Sequence, residues 1–534
     1  MSYSQAEKSC GHSEKEDNSK KTNSMTTKGY LGIDAGTQGL SVVFANQALE
    51  VLATGECEYG MVPDLDEGCY EQLPADWDAA LQSAMADLRV KLAGDQADIE
   101  ILAIGISGQM HGEVLADENG HSLGSVRLWC DSRNEEEGHE LTKRFGVKMP
   151  KRITSARWLW TIRNQPEKAN ATRHMTTPAG WIAFRLTGQW TLGIGDAAGM
   201  FPIDQATKDY DRALLDSFDE LVASNMTTSL RDLLPAVRCA GQDAGCLNQT
   251  GAALLELPEG IPVAPAEGDQ PAALAGSLIG NAGMVSVSFG TSVCANSVGD
   301  RTFEGVSEAV DHFCAPDGKP INMVWLRNGT TYMNSMVEML DVNRRAGFDA
   351  IMPKVLEAGP DCGGLLALPF MDDEPGLGIS RGGTGLIVGL NDTNATPGNV
   401  VKAALLSTMF NLKLGSEVLD AQSFPRTDLI LTGGLTKTPK LGQILADVFD
   451  TPVTVLDSAE EGTAWGAALM AKFRHGKLAA ETKEWSDFLA QHTAAEPTRF
   501  QPSADFVAQY DTIYQRYKRL MRLQQQLDEA VAKE

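Results

Sequence analysis

The chain has 534 residues, 43% hydrophobic and 7% aromatic, so it can bury more than one core, and two domains of similar size are expected. A formal net charge of -26 excludes a surface built to meet nucleic acid or anionic lipid, because phosphate backbones demand clustered Lys and Arg. Nine scattered cysteines without a C-x-x-C pair suggest neither a disulfide framework nor a zinc site and fit a reducing, cytoplasmic compartment; no apolar run approaches the ~20 residues of a membrane helix.

Residues 1–28, rich in Ser, Lys, Glu, Asn and Thr, are expected to form a disordered polar tail, since they carry too little apolar surface to offset the entropy of ordering. Next comes LGIDAGTQGLSVVFA, Leu31 to Ala45: a β-branched run, a Gly-Thr turn and a second β-branched run, which predicts a hairpin with a tight loop. In such a loop Gly36, Thr37 and Gln38 would turn amides and a hydroxyl toward phosphate oxygens, which only accept hydrogen bonds. Asp34, just before the turn, would repel a phosphate unless a cation sat between them, which makes it the candidate Mg2+ ligand, through water.

Further along, Trp77 to Leu92 has helical periodicity, IEILAIGIS (Ile99 to Ser107) is a buried strand, and HELTKRFG is a helix closed by Gly146. The basic cluster Lys148, Lys151, Arg152 and Arg157 reads as a solvated surface face without a function. In GIPVAPAEGDQPAALAG a strand-like run leads into Asp269 and then a helix, with Gly268 permitting close approach of a ligand. A carboxylate at a strand end suits a general base; the bland alternative is a helix N-cap.

A domain boundary is expected near Gly276 to Gly283, dividing residues 29–280 from 281–534 with the ligand cleft between them. The second half opens on VSVSFGTSVCANS, Val285 to Ser297, which repeats the first hairpin and makes Gly290, Thr291 and Ser292 the other half of a phosphate clamp, with Ser288 in the place of Asp34. DLILTGGLTKTPKLGQILADVF then gives strand, glycine turn and helix, TPVTVLD a strand, and EEGTAWGAALMAKFRHG a helix. Interleaved strands and helices in both halves make the fold class α/β. In the last helix Phe506, Tyr510, Ile513, Tyr514, Tyr517 and Leu520 share a face and are expected in a core.

Moving a phosphoryl group onto an alcohol requires a carboxylate for the hydroxyl proton and amides with a cation around the phosphate, and Asp269, the two loops and Mg2+ would supply these. DAGTQG, GISGQMHG, LWCDSRN, GDQPAALAG, SFGTS, TGGLTKTPKLGQILADVF and EEGTAWGAALMA, in this order between Gly29 and about Arg519, resemble the successive motifs of the FGGY carbohydrate kinases. The resemblance implies two actin-like, ribonuclease-H-like ATPase domains that close over ATP and a sugar in an interdomain active-site cleft.

Within the family, SGQMHG, EQLPADW and LWCDSRN are most similar to members acting on D-xylulose, which implies phosphorylation of a ketose at its terminal hydroxyl. By the same resemblance Gln109, Met110 and His111 line the sugar pocket, Trp129, Asp131 and Arg133 shape its floor, and Asp269 is the base. Gly433, Gly434, Leu435 and Thr436 would hold the nucleotide's ribose and phosphates, and Glu461, Gly462 and Ala464 to Ala467 would frame the adenine. The implied partners are the sugar and ATP, with no nucleic acid or membrane and with homodimerisation left open.

The sequence departs from the family pattern at Gln38, where Thr or Ser is usual, at Leu435 in place of a third glycine, and in WLRNGTTYMNSM (Trp325 to Met336), which lacks an expected tryptophan. The last departure leaves another ketose or polyol, such as ribulose or erythrulose, as an alternative substrate. Gln38 and Leu435 motivate a reading of a different class, a noncatalytic sugar- or nucleotide-binding regulator or a chaperone-type ATPase, which Asp269 together with SGQMHG disfavours.

Overall fold

The computed structural model describes residues 26–94, 99–340, 347–456, 462–481, 483–492 and 497–531. The expected polar tail up to residue 25 and Glu461 lie outside the described residues.

Strand β1 (Thr27–Ala35) turns into antiparallel β2 (Gly39–Asn46), and β3 (Val51–Glu58) continues the meander. After α1 (Pro74–Gly94), β4 (Ile99–Gly108) returns parallel to β1, with Asp34 opposite Ser107. Ala103, Ile104 and Ile106 of β4 are fully buried, as the near-continuous apolar run of a parallel strand covered on both faces requires. Short β5 (Glu267–Gly268) adds beyond β4, giving the order β5-β4-β1-β2-β3, and leads directly into α2 (Asp269–Gly276).

The second sheet rebuilds the same centre. β6 (Met284–Phe289) and β7 (Val293–Val298) form the second hairpin, joined through β9 (Pro320–Leu326) to β8 (Val310–Cys314). β10 (Asp428–Gly433) lies parallel to β6 with Thr432 opposite Ser288, the counterpart of Ser107 opposite Asp34. β11 (Val453–Val455) and β12 (Thr498–Phe500) complete the order β8-β9-β7-β6-β10-β11-β12.

Helix α3 (Gly462–Leu478) comes from the second half of the chain yet lies on the first sheet. Its small residues let backbones touch: a Cβ on Gly32 would stand 1.9 Å from the Ala464 carbonyl oxygen, one on Gly105 1.8 Å from that of Ala467, and one on Gly466 2.1 Å from that of Ala272 in α2. Trp465 Nε1 donates to the Leu49 carbonyl at 3.0 Å. In the terminal helix α4 (Ala504–Met521), Tyr510, Ile513, Tyr514 and Tyr517 are buried in the second core, whereas Phe506 in the first turn is exposed and lies outside the stripe. No helix among the described residues is long and apolar enough to cross a membrane.

Candidate active site

Each hairpin is closed by a backbone bond of 2.9 Å, Gly36 N–H to the carbonyl of Gly39 three residues on and Gly290 N–H to the carbonyl of Ser292 two residues on. The first turn is braced from behind: Gln72 Nε2 donates to the Thr37 carbonyl at 2.7 Å and Tyr59 OH to the Gly36 carbonyl at 2.5 Å. Trp129 Nε1 donates to Thr37 Oγ1 at 3.0 Å, and that hydroxyl donates in turn to Gln109 Oε1 at 3.3 Å. The second turn is tied down by Thr330, whose N–H and hydroxyl both donate to the Gly290 carbonyl, and by Gly329 N–H on the Thr291 carbonyl. With their carbonyls engaged, Gly290 and Thr291 remain exposed. Gln38 is exposed at the tip of the first turn, and its backbone carbonyl accepts the Tyr59 N–H at 3.2 Å.

A cleft of about 780 Å³ separates the two sheets, walled on one side by Met110, His111, Trp129 and Asp269 and on the other by residues such as Ser288, Gly290 and Ser292. Its volume is that of a small-molecule site. Asp269 is the first residue of α2, and Gly268 holds the N-cap position, so the carboxylate is not the cap that was the bland alternative. It accepts the adjacent Gln270 N–H at 2.8 Å. Burial pushes Asp269 up to about 7, and the charge of Asp34 adds to the effect.

Behind Asp269 stand two further acids: Asp196, which the resemblance to the family places in a structural DAAG element, and Glu267, which the sequence did not signal. Asp196 accepts the Thr177 hydroxyl at 2.5 Å, and Glu267 accepts the N–H groups of Gly195 and Asp196. Burial raises Asp196 to about 8, so at neutral pH it favours the uncharged form, and burial with the charge of Asp196 pushes Glu267 well above the usual carboxylate range.

Asp34 accepts the Ser107 hydroxyl at 2.7 Å, and although this bond and one from Thr463 favour its charge, burial pushes its pKa upward. Among the described residues no group of three or more His, Cys, Asp or Glu is placed to hold a metal. Asp34 and Asp269 are close enough to repel each other. That donor set fits Mg2+, which needs only one or two protein carboxylates and takes its other oxygens from water and phosphate.

His111 adopts a left-handed backbone, φ +68°. Its Nδ1 lies 2.9 Å from the Gly199 carbonyl, an approach open only to glycine there, since a Cβ would sit 2.9 Å from the ring. Burial, with the charge of Arg152 next, pushes His111 down to about 3, so the ring is neutral. A neutral ring facing a carbonyl through Nδ1 carries its proton there, which leaves Nε2 as an acceptor. Met110, which lines the cleft, packs on Gly268, where a Cβ would stand 2.2 Å from Met110 Cγ, and provides an apolar wall beside Asp269.

Other expected site residues lie elsewhere. Gln109 is fully buried, its Nε2 donating to Gln72 Oε1 at 2.8 Å, so it supports the first turn and does not face the cleft. Asp131 is fully buried and accepts the Tyr70 N–H and the Arg133 guanidinium, while Arg133 also reaches Glu71 at 2.5 Å. This cluster backs Trp129 and does not line the cavity. Gly433, at φ +76°, approaches Ser288 so closely that a Cβ would meet its Oγ at 2.7 Å, and Thr436 Oγ1 donates to the Gly433 carbonyl at 2.8 Å. Gly434 is exposed, whereas Leu435 packs into the second core. Ala464 to Ala467 pack against the first sheet and α2, because their small side chains serve that contact; of this helix, Gly462 and Thr463 reach the cleft.

The basic cluster is not the solvated face its composition suggested. Arg157 is fully buried, Arg152 pairs with Asp311 and Lys148 with Glu308 at 2.5 Å, so both pairs cross to the second half of the chain; only Lys151, paired with Glu135, keeps to the surface of its own half. The acidic partners follow some 160 positions later, beyond the reach of local pattern.

Two sheets, each built on a hairpin and a parallel strand and facing one cleft, define the two-domain actin-like fold class. The chain belongs to the FGGY family of carbohydrate kinases, whose N-terminal domain matches residues 29–276 and whose C-terminal domain matches residues 285–474. It is similar to the xylulose kinase of Haemophilus influenzae, 25% identical over 91% of this chain and 98% of that one, and to the xylulose kinase of Escherichia coli, 26% identical over 83% and 89%. Among solved structures, a xyloylose kinase from Brucella ovis superposes with a TM-score of 0.80 at 22% identity, covering 93% of this chain and all of that one. The protein is thus a carbohydrate kinase, and the kinases of this family use ATP as a substrate.

Proposed function

We propose that the protein phosphorylates a ketose, D-xylulose, at its terminal hydroxyl, giving D-xylulose 5-phosphate and ADP. The observation that carries this reading is Asp269, a carboxylate on the cleft wall whose proton affinity lies near neutrality and which therefore accepts a hydroxyl proton at working pH. The sugar oxygen attacks the γ-phosphorus, its proton passes to Asp269, and ADP leaves. Met110 supplies the apolar wall, His111 Nε2 accepts from a sugar hydroxyl, and Trp129 forms part of the floor. The turns at Gly36–Gln38 and Gly290–Ser292 hold the phosphates from opposite domains, with Gly433, Gly434 and Thr436 beside the second. Asp34 would hold Mg2+ through water, and the ion would neutralise charge on the phosphates. Polar groups left unpaired by a wrong sugar would reject it.

The similarity to xylulose kinases along most of the chain supports D-xylulose over other ketoses. Trp325, at the start of the divergent Trp325–Met336 segment, lines the cleft, so the same site with a different sugar is the second reading. A panel of D-xylulose, D-ribulose, L-ribulose, erythrulose and the matching alditols, assayed for ADP release, decides. The highest kcat/KM is expected for D-xylulose, a preference for another sugar would reassign the substrate, and no sugar-dependent turnover would refute the proposal.

A further inference from the structure

Arg157 is a buried cation that forms no ion pair among the described residues; Asp131 and Glu113 act on it only through their charge. Its Nη1 donates to two backbone carbonyls, that of His111 at 3.4 Å and that of Arg152, while Nε and Nη2, also buried, have no hydrogen-bond partner among the described residues. Burial, reinforced by the charge of Arg127, lowers its pKa to about 9. An unpaired buried charge is expensive, and a neutral residue of similar shape would fill the space at less cost. The cost is offset where its two acceptors matter together. One belongs to His111, held in a left-handed conformation on the cleft wall, and Thr154 Oγ1 donates to the same carbonyl at 3.1 Å. The other belongs to Arg152, whose side chain crosses the cleft to Asp311.

We propose that Arg157 is a positioning residue for the sugar half of the cleft: one guanidinium gathers the carbonyls of His111 and Arg152, and so ties the imidazole offered to the sugar to the ion pair that joins the first domain to the second. The arrangement makes sugar placement and domain contact one mechanical unit. It rests on the reading of the cleft as a ketose site.

The test compares Arg157→Met, Arg157→Lys, Asp311→Asn and the double variant Arg157→Met/Asp311→Asn in the full-length enzyme. Arg157→Met is expected to raise KM for D-xylulose about tenfold, the scale of a small displacement transmitted to a site, while KM for ATP stays within about twofold. Arg157→Lys, which keeps the cation and a single donor head, should fall between parent and Arg157→Met, and carries the test should the methionine variant not fold. The double variant should lose less than the product of the single losses, because both cut the same tie. An unchanged sugar KM in the variants that fold, a rise shared equally by ATP, or fully independent effects of the two sites would overturn the proposal. A readout without sugar separates its failure from that of the ketose reading. The charged groups facing His111 are Arg152, Arg157 and Asp311, so in Arg157→Met the His111 imidazole resonance should titrate at higher pH than in the parent. An unmoved resonance would contradict the tie even in a protein that phosphorylates no ketose.

Discussion

Asp269 serves as a base only when deprotonated, so kcat/KM should rise with pH up to about 7 and then level, with unit slope on the acid side. Because Asp34 contributes to the upward shift, Asp34→Asn should move that limb to lower pH, whatever else it costs in rate; a pH–rate profile of both enzymes checks the direction. The same group carries a stability cost. Its proton is held more tightly in the folded chain than in the unfolded one, so its favourable contribution is complete below the unfolded value near 4 and is lost as pH rises through about 7. Asp269→Asn, which resembles the protonated acid, should therefore raise Tm at pH 8 relative to the parent and leave it nearly unchanged at pH 4, as scanning calorimetry would show. At this scale Asp269, Met110, His111 and Trp129 of the motifs stand on the cleft, whereas Gln109 and Asp131 turn inward and Arg133, half-buried, pairs with Asp131 and Glu71. A motif identifies which residues cluster, and only packing decides which of them face the ligand.

At the scale of elements, strands and helices follow from local pattern: the buried strand read over Ile99–Ser107 forms and runs one residue further, and the helix closed by Gly146 at φ +66° and the two hairpins form as well. What local pattern lacks is the address of a helix. The Ala- and Gly-rich face of α3 shows that something approaches closely, yet nothing in it says that the neighbour is the first sheet, hundreds of residues earlier. That contact leaves no room for a methyl group, so Gly105→Ala should destabilise the protein by about 3 kcal/mol, the upper part of the range for overpacking, because the opposing atom is a backbone carbonyl that cannot rotate away. Urea unfolding measures it, and a loss below about 0.5 kcal/mol would mean that α3 does not rest on β4.

Across the whole molecule, two ion pairs from the 148–152 loop reach the opposite domain and differ in worth. Glu308 is 62% exposed in its pair with Lys148, so Glu308→Gln should change little, as exposed pairs contribute about 0–1 kcal/mol. Asp311 and Arg152 are largely shielded. Burial works against the charge of Asp311, but Arg152 and Lys148 outweigh it and hold the carboxyl below its ordinary value. Asp311→Asn leaves Arg152 uncompensated at the cleft and should open the sugar-free protein, seen as a larger radius of gyration in solution scattering, whereas Glu308→Gln should match the parent.

The central claim is that this cleft moves a phosphoryl group from ATP to a ketose hydroxyl with Asp269 as the base. The most direct measurement follows formation of the sugar phosphate itself, by phosphorus NMR with D-xylulose and ATP, in the parent and in Asp269→Asn side by side. A phosphate monoester on the terminal carbon in the parent, formed at least about 10²-fold more slowly by the variant while sugar-independent ATP hydrolysis persists, is the predicted result. No ester from the parent, or a variant within tenfold of it, would contradict the account.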